Sequence, residues 1–153
     1  MRLHLKNYHI NSGTGASQFQ LVAFDKALSA AGISNYNLVR VSSILPAHAK
    51  KCNVISLEEG SPLHTAYATI SSNVPGARIA TAVAVGIPAN MNNIGVIMEA
   101  TGESKEETEQ RAIDMVKEAM AWRNYEIERI ESTSVEGIVE DGFLSLISAI
   151  AMW

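Results

Sequence analysis

A nearly continuous run of apolar residues in the middle of the chain constrains the fold most. Ile79–Ile87 contains only Ile, Ala, Val, one Thr and one Gly, and such a run is typical of a strand that is covered on both faces. Just before it, Asn73–Gly76 predicts a type II turn, because Pro75 and Gly76 occupy the positions that this turn prefers. The middle of the chain is therefore predicted to form a buried sheet.

Other stretches also favour strands. The segment at 64–73 is rich in Thr, Tyr, Ile and Ser, and residues of the β-branched and aromatic kinds fit a pleated surface. The residues at Asn11–Ala16 are small and polar, which predicts a loop. This loop is not predicted to bind phosphate, because no Gly-Lys-Ser/Thr follows its glycines. Strands are predicted at residues 3–10, Tyr36–Ser42, 64–73, Ile94–Thr101 and Tyr125–Glu136.

A first helix is predicted at Ser17–Ala31. Leu21, Phe24 and Leu28 recur at i, i+3 and i+7, which is the spacing of one helical face. Gly32 supplies the stop signal that often follows a helix.

Two more helices are predicted in the second half of the chain. Ser104–Glu107 is a capping box that opens a helix running to about Asn124. A last helix is predicted from about Val139, with apolar residues at Phe143, Leu146, Ile147 and Ile150. Helices at both ends of a strand-rich middle indicate a layered α+β architecture without regular βαβ repetition.

Composition narrows the classes of partner. The chain has 153 residues, 47% hydrophobic and 18% charged, which suits one domain with a hydrophobic core. The net charge is −4 and the basic residues are scattered, so no nucleic-acid partner is expected. The longest apolar stretches, Ile79–Pro88 and Phe143–Trp153, are shorter than the roughly 20 residues that span a bilayer. No membrane partner is expected, and residues 1–6 lack the apolar segment of a signal peptide.

Cysteine and histidine usage points away from disulfides and metals. Cys52 is the single cysteine, which indicates a reduced residue in a cytoplasmic protein. The four histidines show no metal-ligand spacing, so no metal site is predicted; they are His4, His9, His48 and His64.

Ser42 and Ser43 follow the apolar strand signal at residues 38–41 and precede Pro46. They can be read as two strand-end serines bonded to backbone or water. They also suit self-cleavage, in which the Ser43 hydroxyl attacks the Ser42 carbonyl and converts the peptide bond to an ester. Elimination would then cut the chain and leave a dehydroalanine, which hydrolyses to a pyruvoyl group.

Several segments together resemble the pyruvoyl-dependent arginine decarboxylase family. They occur in the order of that family and extend over most of the chain, and the central block around the serines is the most specific. The segments are Ala23–Asp25, Asn35–Pro46, Ala66–Ala68, Val96–Glu99, Glu128–Ser132 and Val135–Glu136.

The resemblance implies a self-processing proenzyme. Residues 1–153 would form a single domain cut between Ser42 and Ser43 into a β chain 1–42 and an α chain 43–153. The fold implied is a four-layer αββα sandwich, assembled as a homotrimer of cleaved αβ protomers with sites between protomers.

The resemblance also implies roles for individual residues. Ser43 would be the precursor of the covalent pyruvoyl cofactor, Glu99 the proton donor and Asn37 a polar residue of the catalytic site. Asp25 would bind the guanidinium of the substrate. The pocket would be lined by Leu28, Tyr36, Asn37 and Ile44.

The residues allow separate expectations for three of these positions. Asp25 lies four residues after Leu21 and should therefore lie on the same helix face as Leu21. It can be interpreted as the edge of the apolar stripe, as the partner of a nearby Lys, or as an anionic anchor for a cationic substrate. Glu99 should face a packed side of its strand, where burial would raise its pKa and suit it to a general acid; the alternative is a strand-end carboxylate facing water. Asn37 and Ser43 are both odd-numbered and should share a strand face.

The function expected is the decarboxylation of L-arginine to agmatine and CO2. The pyruvoyl carbonyl would form a Schiff base with the α-amino group of this small-molecule substrate and act as the electron sink. Two alternatives remain open. One is the same chemistry on another amino acid, and the other is an uncleaved, non-catalytic oligomeric binding protein of the same fold.

Overall fold

The computed structural model describes residues 4–153, so the strand expected at 3–10 and the N-terminal stretch 1–6 lie partly outside the described residues. Within residues 4–153 the chain forms nine strands and two helices. In order they are β1 Asn7–Ser17, α1 Gln20–Ala30, β2 Asn37–Arg40, β3 Ile44–Leu45, β4 Lys50–Lys51, β5 Pro62–Ser72, β6 Arg78–Pro88, β7 Gly95–Gly102, α2 Lys105–Trp122, β8 Ile127–Ile138 and β9 Phe143–Met152.

The strands form two sheets that pack face to face. The five-stranded sheet has the order β2-β5-β9-β1-β4, and the four-stranded sheet has the order β3-β7-β6-β8. Helix α1 packs on the outer face of the first sheet against β1 and β9, and α2 packs on the outer face of the second against β6, β7 and β8. The predicted α+β sandwich is confirmed, with its layers in the order α, β, β, α.

The central apolar run forms the predicted buried strand. β6 pairs antiparallel with β7 on one side and with β8 on the other, and residues 79–86 are all buried. The turn before it is also confirmed. The Ala77 N–H donates to the Val74 carbonyl over 3.1 Å, and Gly76 takes the positive φ of 83° that a type II turn requires at its third position.

The predicted loop at Asn11–Ala16 is wrong, because these residues continue β1 and pair with β9. The reason is the packing of α1 directly above them. A Cβ atom at Gly15 would lie 2.3 Å from the Ala23 carbonyl oxygen, and one at Gly13 would lie 2.2 Å from that of Ala27. The small residues therefore bring the helix close to the strand and do not mark a turn.

The predicted C-terminal helix is also wrong, because Phe143–Met152 forms β9 at the centre of the five-stranded sheet, between β1 and β5. Residues 145–152 are buried. Ile147 and Ala149 pack towards α1, while Ile150 and Met152 pack between the sheets. Since both faces of β9 are covered, its apolar residues lack the alternation that distinguishes a strand from a buried helix.

The two helices occur close to their predicted positions. In α1 the buried residues include Ala23, Ala27 and Leu28, whereas Leu21 is 77% exposed, so its assignment to the buried face was wrong. The alanines face β1 because the close approach to its glycines leaves no room for larger side chains. The Ser104 hydroxyl accepts a hydrogen bond from the Glu107 N–H, which confirms the predicted cap of α2.

Candidate active site

The two serines lie where the chain crosses from one sheet to the other. β2 is an edge strand of the five-stranded sheet, and β3 is an edge strand of the four-stranded sheet. The Val41 N–H makes a 3.2 Å hydrogen bond to the Thr65 carbonyl on the first sheet, and the Ser43 carbonyl accepts a 2.7 Å hydrogen bond from the Ile97 N–H on the second. Ser42 is exposed and Ser43 is half-buried. The Ser42–Ser43 bond is therefore held between two fixed anchors at the open edge of the sandwich.

The predicted strand Tyr36–Ser42 is shorter than expected, since β2 ends at Arg40. The prediction that Asn37 and Ser43 share one strand face is consequently wrong. Alternation of side chains holds only within a continuous strand, and here the chain turns away from β5 before Ser43 is reached. A sequence can show that an apolar segment favours a strand, but the residue at which it leaves its neighbour depends on the partner sheet.

Glu99 lies on β7, two residues beyond Ile97, whose N–H binds the Ser43 carbonyl. Ile97 packs in the core between the two sheets, so alternation along β7 directs the Glu99 side chain into the same layer. Its Oε2 atom is buried and has no hydrogen-bond partner among the described residues. The expected packed environment of Glu99 is thus present in the structure.

Burial raises the pKa of the Glu99 carboxyl above its ordinary value, and the positive charge of Arg40 opposes this change without cancelling it. An ionised carboxylate with an unpartnered buried oxygen would be costly, so the environment favours the protonated form. A protonated carboxyl can donate a proton to a nearby carbon, which is the behaviour required of a general acid.

Arg40 is a residue that sequence reasoning missed, although it lies within the block around the serines. Its guanidinium carbon lies 4.4 Å from the centroid of the Tyr67 ring. Its Nη2 atom donates a 2.8 Å hydrogen bond to the backbone carbonyl of the same tyrosine. The only sequence signal was a cation three residues before Ser43, and the partner on β5 could not be identified without the sheet register.

A second group of predicted site residues lies on the outer face of the five-stranded sheet. Leu28 is buried there, and Tyr36 packs against the same cluster with its hydroxyl donating to the Leu57 carbonyl over 3.4 Å. Asp25 is exposed on α1, as is Leu21 one turn before it, so the helix face that the two residues share is turned to the surface and is not an apolar, packed face.

The remaining predicted residues lie elsewhere. Ile44 is 40% exposed on β3, and the Asn37 side chain donates a 2.8 Å hydrogen bond to the Gly60 carbonyl. Within one chain, Asp25 and Glu99 lie on opposite faces of the five-stranded sheet. The structure therefore brings Glu99 close to Ser43 but does not bring Asp25 to the same place.

An open groove runs beside α1, and Leu21 and Phe24 form one of its walls. The opposite wall comes from β5, at Thr69, Ile70 and Ser71. At the start of the helix, Phe19 is 72% exposed and Leu21 is 77% exposed. Apolar exposure of this extent is typical of a surface that contacts another protein.

Residue 43 and Glu99 are the two predicted catalytic residues that the structure places on neighbouring segments, since residue 43 directly precedes β3 and β3 pairs with β7. Ser43 is half-buried and fixed through its backbone, and within residues 4–153 the buried Oε2 atom of Glu99 has no hydrogen-bond partner. Among residues 4–153, no three His, Cys, Asp or Glu side chains come close enough to hold a metal ion. In the same part of the chain, neither helix is long and apolar enough to cross a bilayer.

Comparison with known proteins gives one consistent result. The family model described as pyruvoyl-dependent arginine decarboxylase matches residues 7–153. A protein of that name from Methanocaldococcus jannaschii is 42% identical over 130 residues, which are 84% of this chain and 79% of the relative. A namesake from Thermococcus kodakarensis is 37% identical over 150 residues, 97% of this chain and 95% of the relative. One from Pyrococcus abyssi is 37% identical over 137 residues, 88% of this chain and 86% of the relative.

Proposed function

The chain belongs to the pyruvoyl-dependent arginine decarboxylase family, and we propose that it is an enzyme that converts L-arginine to agmatine and CO2. The observation that carries this proposal is the buried Oε2 atom of Glu99, which has no hydrogen-bond partner among residues 4–153 and lies on the strand that binds Ser43. The pair supplies a protonated acid next to the position of a carbonyl group. Decarboxylation of an amino acid needs both, because an electron sink must accept the electrons of the breaking bond and a proton must replace CO2.

The carbonyl would arise by self-cleavage of the single domain into chains 1–42 and 43–153. The Ser43 hydroxyl oxygen bonds to the Ser42 carbonyl carbon, the C–N bond between them breaks, and the hydroxyl proton passes to the freed nitrogen. Loss of the Cα proton of residue 43 then expels the Ser42 carboxylate and leaves a dehydroalanine. Its hydrolysis consumes one water, releases one ammonia and leaves the pyruvoyl group. The crossover favours this chemistry because Ser42 is exposed between its two anchors, so the end at residue 42 can move away after cleavage.

Glu99 is the proton donor in this proposal. The pyruvoyl carbonyl supplies the electron sink when it is present. Glu99 holds a proton because burial raises the pKa of its carboxyl, and it delivers that proton to the substrate Cα atom after CO2 has left. The surrounding apolar layer between the sheets, which includes Val41 and Ile97, keeps water away from the acid.

The proposed substrate-binding residues are Asp25, Leu28 and Tyr36 on the outer face of the five-stranded sheet, together with Ile44 and Asn37, which lie outside that group. Asp25 would accept two parallel N–H bonds from the guanidinium of arginine, the geometry that suits a carboxylate to this cation. Leu28, Tyr36 and Ile44 would line the pocket around the aliphatic part of the substrate, and Asn37 would contribute a polar contact. These assignments rest on the positions that match the family and stay predictions.

A homotrimer of cleaved protomers would bring Ser43 and Glu99 of one protomer together with Asp25 of another. Asp25 and Glu99 lie on opposite faces of one sheet, so a neighbouring copy must supply one of them if both contact the same substrate. The exposed apolar residues Phe19 and Leu21, at the start of the helix that carries Asp25, are suited to contact such a neighbour.

A cytoplasmic location, predicted from the single reduced cysteine, is likewise kept as a prediction.

The test is an assay for agmatine and CO2 from L-arginine, run on wild type and on Ser43→Ala. Wild type should produce both, and Ser43→Ala should be a single uncut chain without activity. Production from another amino acid but not from arginine would favour the same chemistry on a different substrate. An intact wild-type chain with no activity on any amino acid would favour the non-catalytic binding protein.

A further inference from the structure

The register between β2 and β5 identifies a hydrogen-bond acceptor that the chain does not use for its own backbone. The Asn37 N–H binds the Ser61 carbonyl over 3.0 Å, and the Val41 N–H binds the Thr65 carbonyl over 3.2 Å. In a parallel pair, donors and acceptors facing the partner recur every second residue. The next pair in this series would be the Ser43 N–H and the Tyr67 carbonyl.

That acceptor is occupied by Arg40 instead. The Arg40 Nη2 atom lies 2.8 Å from the Tyr67 carbonyl oxygen, and its guanidinium stacks over the tyrosine ring at 4.4 Å. A hydrogen bond from a charged donor is stronger than one from a backbone amide. Arg40 therefore competes with the Ser43 N–H for this acceptor, at the point where β2 would extend to include residue 43.

The competition for the Tyr67 carbonyl affects the Ser42–Ser43 peptide bond, which is the bond that is proposed to break. The N–H of Ser43 belongs to the Ser42–Ser43 peptide bond, and its nitrogen becomes the leaving group in the acyl shift. An amide held in a sheet is fixed in the extended geometry and shares its proton with an acceptor. Free of β5, Ser43 turns to the other sheet, where its carbonyl binds the Ile97 N–H over 2.7 Å.

We propose that Arg40 is a positioning residue for self-cleavage, which keeps the Ser42–Ser43 bond out of the five-stranded sheet by occupying the Tyr67 carbonyl. The proposal rests on the self-cleavage proposed above and adds the residue that exposes the bond. In this proposal Arg40 takes no part in bond making during self-cleavage; it acts by competing with a strand pairing.

The chain contains a matched control for this arginine. Arg123 also stacks on an aromatic ring, with its guanidinium carbon 4.4 Å from the centroid of the Trp122 ring. It also donates to a backbone carbonyl, that of Ala119, over 3.0 Å. Its contacts lie at the end of α2, away from the crossover. Arg123→Met removes the same kinds of contact as Arg40→Met without affecting the β2–β5 edge.

The experiment follows fragment formation with time after cell-free synthesis of wild type, Arg40→Met, Arg40→Lys and Arg123→Met. Arg40→Met should cleave about tenfold more slowly or worse, the scale of losing one charge-assisted hydrogen bond. Arg40→Lys can still donate to the carbonyl and should restore most of the rate, whereas Arg123→Met should match wild type. Arg40→Met cleaving at the wild-type rate, or Arg40→Lys failing as badly as Arg40→Met, would overturn the proposal.

A second measurement reports the pairing itself, in the uncleavable Ser43→Ala chain. Amide hydrogen exchange at residue 43 should be fast when Arg40 is present. It should become protected in Ser43→Ala with Arg40→Met, because β2 can then extend to the Tyr67 carbonyl. Unchanged fast exchange in the double variant would overturn the proposal. Absence of cleavage in wild type would instead count against self-cleavage, so the two failures are distinguishable.

Discussion

Replacing Glu99 with Gln removes the transferable proton and keeps the shape of the side chain. Self-cleavage should survive, because the acyl shift uses the Ser43 hydroxyl and the Ser42 carbonyl. Turnover should fall, because the proposed proton donor to the substrate Cα atom is lost. Positioned acid catalysis contributes about 10²–10⁴-fold, so kcat measured per cleaved chain should decrease by that factor.

The raised pKa of Glu99 gives the same variant a signature in stability. The folded protein binds this proton more tightly than the unfolded chain, whose carboxyl titrates near pH 4.5. The resulting stability is fully present below pH 4.5 and is lost as the pH rises through the folded-state pKa. The partial exposure of the side chain limits the size of this effect. Glu99→Gln does not lose unfolding free energy in this way as the pH rises, because the glutamine side chain does not titrate.

Both effects can be measured on matched proteins. Turnover is compared between processed wild type and processed Glu99→Gln, with the cleaved fraction determined by intact mass. Unfolding free energy is compared at pH 4 and pH 8 between Ser43→Ala and the double variant Ser43→Ala with Glu99→Gln. The stability difference should change in favour of the glutamine between these pH values. Near-normal kcat in fully processed Glu99→Gln would refute its role as acid, and a pH-independent difference would refute the raised pKa.

Three further predictions concern the substrate, the assembly and the core. Asp25→Asn should lower kcat/KM for arginine by about two to three orders of magnitude, because the exposed Asp25 carboxylate would become part of a buried charge pair once the substrate and a neighbouring protomer cover it. An arginine-to-citrulline ratio of kcat/KM that does not change would argue against this anchor. When the two single variants Asp25→Asn and Glu99→Gln are co-expressed, activity should be regained. About a quarter of the shared sites in a randomly mixed oligomer would combine a wild-type Asp25 from one chain with a wild-type Glu99 from the other. No recovery of activity in proven mixed oligomers would contradict a shared site. Gly15→Ala should cost at least about 3 kcal/mol of unfolding free energy, the upper end of the overpacking range, because its Cβ would lie 2.3 Å from the backbone carbonyl oxygen of Ala23. Gly60→Ala, where φ is 88° but no atom lies within 4 Å, should cost only about 1–2 kcal/mol, and equal losses in both would contradict the packing argument.

Local signals in the sequence predicted the local structure well. The Ser104 cap and the turn at Gly76 each depend on a few adjacent residues, so composition and spacing were sufficient. The buried strand β6 was also predicted, from its nearly continuous apolar run and the turn before it. The packed environment of Glu99 followed from the apolar residues before it.

Features set by contacts between distant segments could not be predicted. β9 was mistaken for a helix because both of its faces are covered, which removes the alternation. Gly13 and Gly15 were taken for loop residues because their meaning depends on a helix packed above them. Arg40 was missed because its partner, the Tyr67 carbonyl, is defined only by the register of β2 on β5.

The most direct test of the central claim is the intact mass of the purified wild-type protein under denaturing conditions. Two chains should be found, residues 1–42 and residues 43–153, with the second blocked to N-terminal sequencing. Their summed mass should equal that of the uncut chain plus one water minus one ammonia, as conversion of Ser43 to a pyruvoyl group requires. A single uncut chain, or two fragments whose sum exceeds the uncut chain by one whole water with a free serine amine at residue 43, would contradict the account.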